Sequence, residues 1–336
     1  MRPLPLYDEA VTELLAEQAR LGEREARERE RLRENLADLA RAMEGQGCFE
    51  QAWPGERALW GVDGGLARRR RFGDSLALLS AVAAPASGRP RAKGELLRHS
   101  HDPSAEILLR ALLAVEELLT ARQCADGGGW VLLDGSFSSG LVAVRQALGR
   151  LEAGCDDLAA LLSERLPDWV ETLAELGRGR LKIAALPKLT AQSLLREYLD
   201  LPFPVSDRAL LSLVLPPGWW ISGQRLAAFL DRDLAPFPGR RWPLEPLLAR
   251  RLEEAVTGLS LSLIRLTFRP PRGGPAVEVE TTSDPGAAVS ALWDQFPTNR
   301  LKEPLLLVAA DEAAKGLSAL LGPDEALSFD AYRSPR

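Results

Sequence analysis

Two short apolar segments of the sequence each run into an Asp-Gly pair. Residues 130–140 read WVLLDGSFSSG and residues 59–65 read LWGVDGG, so Asp134 and Asp63 both follow an apolar strand. A buried carboxylate is costly to desolvate, so we expect both aspartates to lie near water or a cation. If the strands are neighbours in one sheet, the two carboxylates lie side by side. Such a pair beside small residues is typical of a Mg²⁺ or Mn²⁺ site that acts on phosphates, because both ions prefer hard oxygen ligands.

A helix predicted at residues 104–122 supplies a third carboxylate. Its apolar residues share one side, while Glu106, Arg110 and Glu117 share the other. A short loop returns the chain to the strand that ends at Asp134. Rises of ~1.5 Å per helical residue and ~3.3 Å per strand residue put the level of Asp134 between Glu106 and Glu117. The span of the loop favours Glu106 as a metal ligand, and the alternative is a solvated face with a Glu106–Arg110 pair.

Four consecutive arginines lie between Asp63 and the next apolar segment, residues 75–84. This order predicts a β-hairpin with the arginines at or near its turn, followed by a loop over residues 85–103. A charge run is usually a solvated loop, but beside a metal site it is a candidate for binding DNA phosphates. The residues concerned are Arg68, Arg69, Arg70 and Arg71.

Two further residues extend this acidic and basic set. A strand predicted at residues 181–186 leads to Lys188, which could contact a phosphate or stabilise developing charge, although surface lysines are common. A final helix predicted at residues 304–321 carries Asp311. The order of the acidic residues along strands and helices matches the logic of RNase H-like nucleases, which hold two divalent ions between such carboxylates.

Composition bounds the remaining possibilities. The chain has 336 residues, 46% of them hydrophobic, and can bury a large core. Its net charge of −5 is only a weak argument against a nucleic-acid partner, because the arginine clusters stand apart from the acidic helices. Three scattered cysteines indicate a reducing compartment and no zinc site. With neither an apolar signal region nor a stretch of membrane-span length, we expect a cytoplasmic protein without membrane contact.

Several catalytic classes lack their motifs in this sequence. The only two histidines are His99 and His101, and no GxSxG motif is present, which disfavours a Ser-His-Asp hydrolase. The Gly-rich stretches DGGGW and RGGP have neither P-loop nor dinucleotide-binding spacing. A carboxylate-held metal ion therefore remains the best-supported chemistry.

The chain is expected to divide into a charged helical arm, residues 1–50, and a catalytic domain, residues 51–336, with a helical insertion at about residues 141–200. The arm reads as one long helix in which Glu and Arg alternate at pairing distances around a thin apolar stripe. It could form a coiled coil with a partner, or lie solvated on its own domain.

The motifs WGVDGG, VLLDGSF, IAALPKLTAQSLL, SDRALLSLVLPPG, VEVETT and PLLLVAADEAA, in this order across nearly the whole chain, resemble those of NurA nucleases. The resemblance implies an α/β, RNase H-like (PIWI-like) fold, a mixed sheet flanked by helices. It also implies a homodimer with Mn²⁺- or Mg²⁺-dependent activity on DNA, as a 5′→3′ exonuclease and single-strand endonuclease. The family works with the hexameric translocase HerA in resecting double-strand breaks.

By position, the resemblance assigns metal binding to Asp63 and Asp134. Lys188 is similar to the lysine that follows the family's middle strand, and Asp311 falls where the last helix presents a histidine or an acidic residue. The resemblance leaves three candidates for the helix glutamate, namely Glu106, Glu116 and Glu117. The first motif reads Asp-Gly-Gly where Asp-Gly-Ser is usual, a change that still permits close approach of a phosphate.

Two other readings of the same residues are possible. The chain could be a catalytically weak RNase H-like scaffold that binds DNA ends and stimulates a partner ATPase. It could also be an interaction protein organised by its N-terminal helix. Divalent-ion dependence of DNA cleavage would distinguish both from a nuclease.

Overall fold

A nine-stranded mixed sheet runs through the centre of the computed structural model. The model describes residues 27, 30–70, 74–100, 103–151, 156–188, 194–201, 204–232 and 242–321. The strands are β1 (Glu50–Gln51), β2 (Ala58–Arg70), β3 (Ser75–Pro85), β4 (Arg91–His99), β5 (Trp130–Asp134), β6 (Ile183–Leu186), β7 (Trp219–Ser222), β8 (Ile264–Phe268) and β9 (Val277–Thr281). Their order in the sheet is β1-β7-β8-β9-β6-β5-β2-β3-β4.

Helices cover both faces of this sheet. They are α1 (residues 30–45), α2 (Pro103–Ala125), α3 (Phe137–Leu148), α4 (Asp156–Gly177), α5 (Leu194–Tyr198), α6 (Asp207–Val214), α7 (Gly223–Phe229), α8 (Pro246–Ser262), α9 (Pro285–Leu292) and α10 (Leu305–Ser318). The arrangement confirms the predicted mixed sheet flanked by helices.

The central strands are apolar on both sides because both of their faces are covered. In β5, Val131 and Leu133 join a core with α2, α3, α4 and α8. The alternating residues Trp130 and Leu132 join a second core with α9 and α10. A third core lies between α1, α6 and α7. Alternation along one strand thus separates the two helical layers.

The two Asp-Gly strands are neighbours, which is the condition that the expected carboxylate pair requires. Strands β2 and β5 are parallel, with Val62 opposite Leu133, and each aspartate is the next residue along its strand. Strand β2 does not end at Asp63, however. It continues to Arg70 and pairs antiparallel with β3 over this whole extension. Asp63 therefore lies inside a long strand, at the point where its pairing with β5 stops.

The predicted loop at residues 85–103 is wrong over most of its length. Arg91–His99 form the edge strand β4, which pairs with β3 along nine residue pairs. Its sequence RAKGELLRH carries little apolar alternation because most of its side chains face solvent. Pairing with the buried β3 strand, rather than local pattern, makes this segment a strand.

The described end of the N-terminal arm packs on the rest of the protein. Leu36, Leu39 and Met43 of α1 are buried in the third core. Residues 1–26 of the predicted arm lie outside the described residues. Within the predicted insertion, β6 occupies a central place in the sheet, between β5 and β9. The predicted domain boundaries themselves stay a prediction.

Within the part of the chain that the structure describes, no helix combines the length and the apolar content needed to cross a bilayer.

Candidate active site

Asp63 and Asp134 form a carboxylate pair at adjacent strand positions. Asp63 is only 6% exposed, and its Oδ1 accepts a hydrogen bond of 2.8 Å from the Gly64 amide. The pKa of Asp63 is raised to about 7. Burial is the main cause, and the charge of the neighbouring Asp134 carboxyl and the hydrogen bond to it act in the same direction. Two carboxylates held this closely favour a shared proton or a bound cation.

Glu117 of α2 is the third carboxylate of this cluster. Burial raises its pKa well above the ordinary value, and the charges of Asp63 and Asp134 act in the same direction. Gly64 makes its approach possible, since a Cβ atom at this position would collide with the Glu117 carboxylate and with Leu113. The glycine that follows Asp63 is thus required for a steric reason.

Glu106 does not join the pair, so the sequence-based choice among the three glutamates needs correction. Its carboxylate forms ion pairs with Arg68 and, at 2.8 Å, with Arg110. The hydrogen bond from Arg68 is the main reason that the pKa of Glu106 is lowered to about 2. The sequence argument aligns Asp134 with a point too close to the start of α2. The helix continues to Ala125, so only residues 126–129 remain for the loop before β5. Glu117 replaces Glu106 in the candidate site.

Glu116, the remaining candidate, faces a different set of partners. Its buried carboxylate lies 2.7 Å from Lys93 and 2.9 Å from Arg165. These cations belong to β4 and α4, and they neutralise the charge that burial would otherwise make costly. Glu116 therefore acts as a link between the edge strand and two helices.

Lys188 follows β6, at the strand end that the sequence predicts, and contacts Asp134 of the carboxylate pair. Its Nζ lies 2.7 Å from Asp134 Oδ2 and 3.6 Å from Glu303. Burial works against its charge, but the hydrogen bond to Asp134 prevails and raises the pKa of Lys188 above the ordinary value. The side chain is 52% exposed, so its ammonium group can reach a ligand in solvent.

Asp311 lies on α10, which crosses the sheet over β2. Leu306 of this helix is in close contact with Gly61, and Ala314 lies near Gly65. Asp311 thus belongs to the helix that covers the Asp63 region. Asp311 forms an ion pair with Lys315 at 2.5 Å, one helical turn further on.

The arginine run occupies the end of β2. Arg68 pairs with Glu106, and both Arg69 and Arg70 have interaction partners. Arg71 lies outside the described residues. Arg68 is five residues further along the strand than Asp63, which corresponds to ~16 Å. The described arginines, Arg68, Arg69 and Arg70, therefore lie along the strand beyond the acidic cluster.

A hydrogen-bond network that the sequence did not reveal anchors the turn after Asp134. Glu280 accepts hydrogen bonds from Ser136 Oγ at 2.8 Å and from Ser138 Oγ at 3.0 Å. Arg265 Nε donates to the same carboxylate at 3.1 Å. Ser136 also caps α3, by accepting from the amides of residues 138 and 139.

The turn itself requires glycine. Gly135 has a φ of 95°, which non-glycine residues rarely adopt, and its amide donates to Leu186 O at 3.2 Å. The Asp-Gly-Ser sequence thus combines a charged side chain, a left-handed turn and a helix cap in three residues.

The donor chemistry of the cluster fits a divalent cation. Three carboxylates converge, one from each of β2, α2 and β5, and hard oxygen donors suit Mg²⁺ or Mn²⁺. Among the described residues, no group of three or more His, Cys, Asp or Glu side chains is placed so that it could hold a metal ion in this arrangement. Lys188 supplies the positive charge at Asp134 in this arrangement.

Fold and site together define an α/β protein whose mixed sheet carries an acidic cluster beside a lysine. The fold is that of solved NurA structures. A crystal structure of NurA with manganese is 13% identical, covers 91% of this chain and 98% of that chain, and has a TM-score of 0.56. The NurA nuclease from Sulfolobus solfataricus is 16% identical, covers 90% and 95%, and has a TM-score of 0.52. NurA bound to dAMP and manganese is 11% identical, covers 87% and 92%, and has a TM-score of 0.50.

No family model matches the chain, and no curated protein matches it. The similarity therefore lies in the fold.

Proposed function

We propose that this protein is a divalent-metal-dependent DNA nuclease. The observation that carries the proposal is the convergence of Asp63, Asp134 and Glu117 at the parallel β2–β5 junction. The shared fold supports it, since one NurA structure contains manganese and another contains dAMP with manganese.

In this proposal Asp63, Asp134 and Glu117 hold Mn²⁺ or Mg²⁺. The bound cation supplies Lewis-acid activation of water and of the phosphodiester. Lys188, half-exposed beside Asp134, would stabilise negative charge on a phosphate oxygen. The arginines at the end of β2 bind backbone phosphates of the incoming DNA.

The finer assignments follow from the family resemblance. We propose 5′→3′ exonuclease and single-strand endonuclease activity in double-strand break resection, in a cytoplasmic homodimer that acts with a HerA-type hexameric ATPase. Asp311 is proposed to assist at the site from α10.

The central experiment measures cleavage of single-stranded and duplex DNA in Mn²⁺, in Mg²⁺ and in EDTA. We expect cleavage in the metal buffers and none in EDTA. Asp63→Asn and Asp134→Asn should each abolish it while the circular dichroism spectrum is retained. Full activity in both variants would overturn the proposed site.

A specific observation favours one second candidate. Lys188 already neutralises Asp134 in the structure, as expected of a site that works without a metal ion. The protein would then be a DNA-end-binding scaffold that stimulates a partner ATPase. Metal-independent DNA binding without cleavage in any buffer would support this candidate instead.

A further inference from the structure

Two guanidinium groups converge on one carboxylate between the end of β2 and the start of α2. Arg68 Nη1 contacts Glu106 Oε2, and Arg110 Nε donates to Glu106 Oε1 at 2.8 Å. The two arginines, which we call the arginine pair, thus bind the two different oxygens of a single carboxylate. The hydrogen bond from Arg68, together with that from Arg110, lowers the pKa of Glu106 to about 2, so this carboxylate is charged at neutral pH.

This cluster lies on the same face of α2 as the third carboxylate of the candidate site. Arg110 and Glu106 precede Glu117 by about two and three helical turns, so the three side chains share one side of the helix. The helix rises ~16 Å between Glu106 and Glu117. Strand β2 extends over the same ~16 Å between Asp63 and Arg68. Helix and strand therefore place the arginine pair at the same distance from the acidic cluster.

A phosphodiester offers the same kind of acceptor as a carboxylate. Both are anions with exposed oxygens, and the planar donors of arginine bind either of them. The side chain of Arg110 is 70% exposed and that of Arg68 is 36% exposed, so a ligand can reach both from solvent. The Glu106 carboxylate thus occupies a position that is suited to a phosphate.

Glu106 cancels part of the positive charge at this position. The arginine pair carries two positive charges, and the carboxylate leaves only one of them uncompensated. Ion pairs at a solvent-exposed surface contribute little to stability, so an incoming anion can exchange with one at low cost. A DNA phosphate and Glu106 therefore compete for the same two guanidinium groups.

We propose that the arginine pair binds one backbone phosphate of the DNA strand and that Glu106 is an internal competitor for this site. The inference rests on the proposed nuclease function and extends it, because it adds Arg110 to the DNA contacts. Successive phosphates of one duplex strand are ~3.4 Å apart along the axis, so ~16 Å places the bound phosphate about five nucleotides from the one at the acidic cluster.

Binding without cleavage tests the proposal. Fluorescence anisotropy in EDTA measures the Kd of a labelled thymidine strand for the unmodified protein and for Glu106→Gln. This substitution keeps the shape of the side chain and removes its charge, so we expect Kd to fall about fivefold at low salt. The slope of log Kd against log salt concentration should rise by about 0.7, the value for one more phosphate contact on a single strand.

Two controls separate a local site from a general change in charge. Glu254→Gln removes the same charge from the exposed ion pair with Arg250 on α8, and should leave both Kd and its salt dependence unchanged. A strand of uncharged methylphosphonate units carries no phosphate charge, so Glu106→Gln and the unmodified protein should bind it equally.

Variants of the arginine pair locate the effect. Arg110→Gln alone should raise Kd for the thymidine strand. Arg68→Gln and Arg110→Gln, introduced together into Glu106→Gln, should remove the gain in affinity. Circular dichroism shows which variants are folded.

Equal Kd values for the unmodified protein and folded Glu106→Gln would overturn the proposal. A gain that Glu254→Gln reproduces, or one that persists after both arginines are replaced, would also overturn it, because each would show a long-range effect of charge. Cleavage in Mn²⁺ is scored separately. A gain in binding without cleavage in any buffer would retain the phosphate site and reject the nuclease, whereas cleavage without the gain would do the reverse.

Discussion

Asp63 is buried next to a carboxylate of the same charge. This arrangement destabilises the fold, and such arrangements are found mainly where a function requires them. Replacement by a neutral isostere removes the repulsion with Asp134. We expect Asp63→Asn to raise the melting temperature of the metal-free protein, by the equivalent of about 1–3 kcal/mol. Calorimetry in EDTA measures this. A lowered melting temperature would show that the carboxylate contributes to stability.

Glu117 and Glu106 provide a matched pair on one helix. We expect Glu117→Gln to reduce DNA cleavage by about 100-fold or more, the usual effect of removing one group that stabilises transition-state charge. Glu106→Gln breaks only the ion pairs with Arg68 and Arg110, and should remain active. Cleavage rates in Mn²⁺ give the comparison. The opposite ranking would restore Glu106 as the metal ligand.

At the scale of elements, the approach of α2 to β2 depends on the absence of a side chain at Gly64. Gly64→Ala would push its methyl group into the Glu117 carboxylate and Leu113. We expect cleavage to fall at least tenfold, because displacement of one catalytic group by about 1 Å has a large effect on rate. Gly94→Ala on β4 is the control, since its Cβ would make only ordinary contacts of 3.5 Å or more. Equal rates in both variants would contradict the steric argument.

The link between β9 and the turn after Asp134 makes a second prediction at this scale. Glu280→Ala leaves Ser136, Ser138 and Arg265 without their shared acceptor, and should destabilise the fold by about 1–3 kcal/mol. Because the same turn positions Asp134, KM for DNA and the Mn²⁺ requirement should also change. Glu280→Gln keeps part of the hydrogen bonding, so both the stability and the kinetic parameters should lie closer to those of the unmodified protein. Glu254→Ala, which removes only the exposed pair with Arg250, serves as control.

Sequence patterns were sufficient where local signal and burial agree. The strands that carry Asp63 and Asp134 could be recognised because both are apolar runs with the same ending, whereas their adjacency is a property of the sheet topology. Strand β4 could not, because its residues are mostly solvent-exposed and its pairing with β3 is a tertiary effect. Glu106 is favoured over Glu117 by the sequence argument because a helix-to-strand loop does not encode its own span. The Glu280 network was missed because its partners lie 142 and 144 residues apart in the chain.

At the scale of the whole molecule, three cores surround a sheet that brings charged residues together at one place. Metal binding to the folded state alone should therefore stabilise the protein. With Mn²⁺ at about 100 times its Kd, we expect about 2.7 kcal/mol and a corresponding rise in melting temperature, reversed by EDTA. Thermal unfolding measures the shift. The Asp63→Asn, Asp134→Asn double variant should show none, and an equal shift there would place the ion elsewhere.

Helix α10 rests on β2, and its Leu306 touches the backbone beside Asp63 at Gly61, more than 240 positions earlier in the chain. During synthesis the strands that bear the aspartates leave the ribosome long before their cover does. A nascent or prematurely terminated polypeptide therefore lacks the wall over β2, and we expect it to be harmless to nearby DNA. Late completion would act as a built-in delay, confining cleavage to finished molecules.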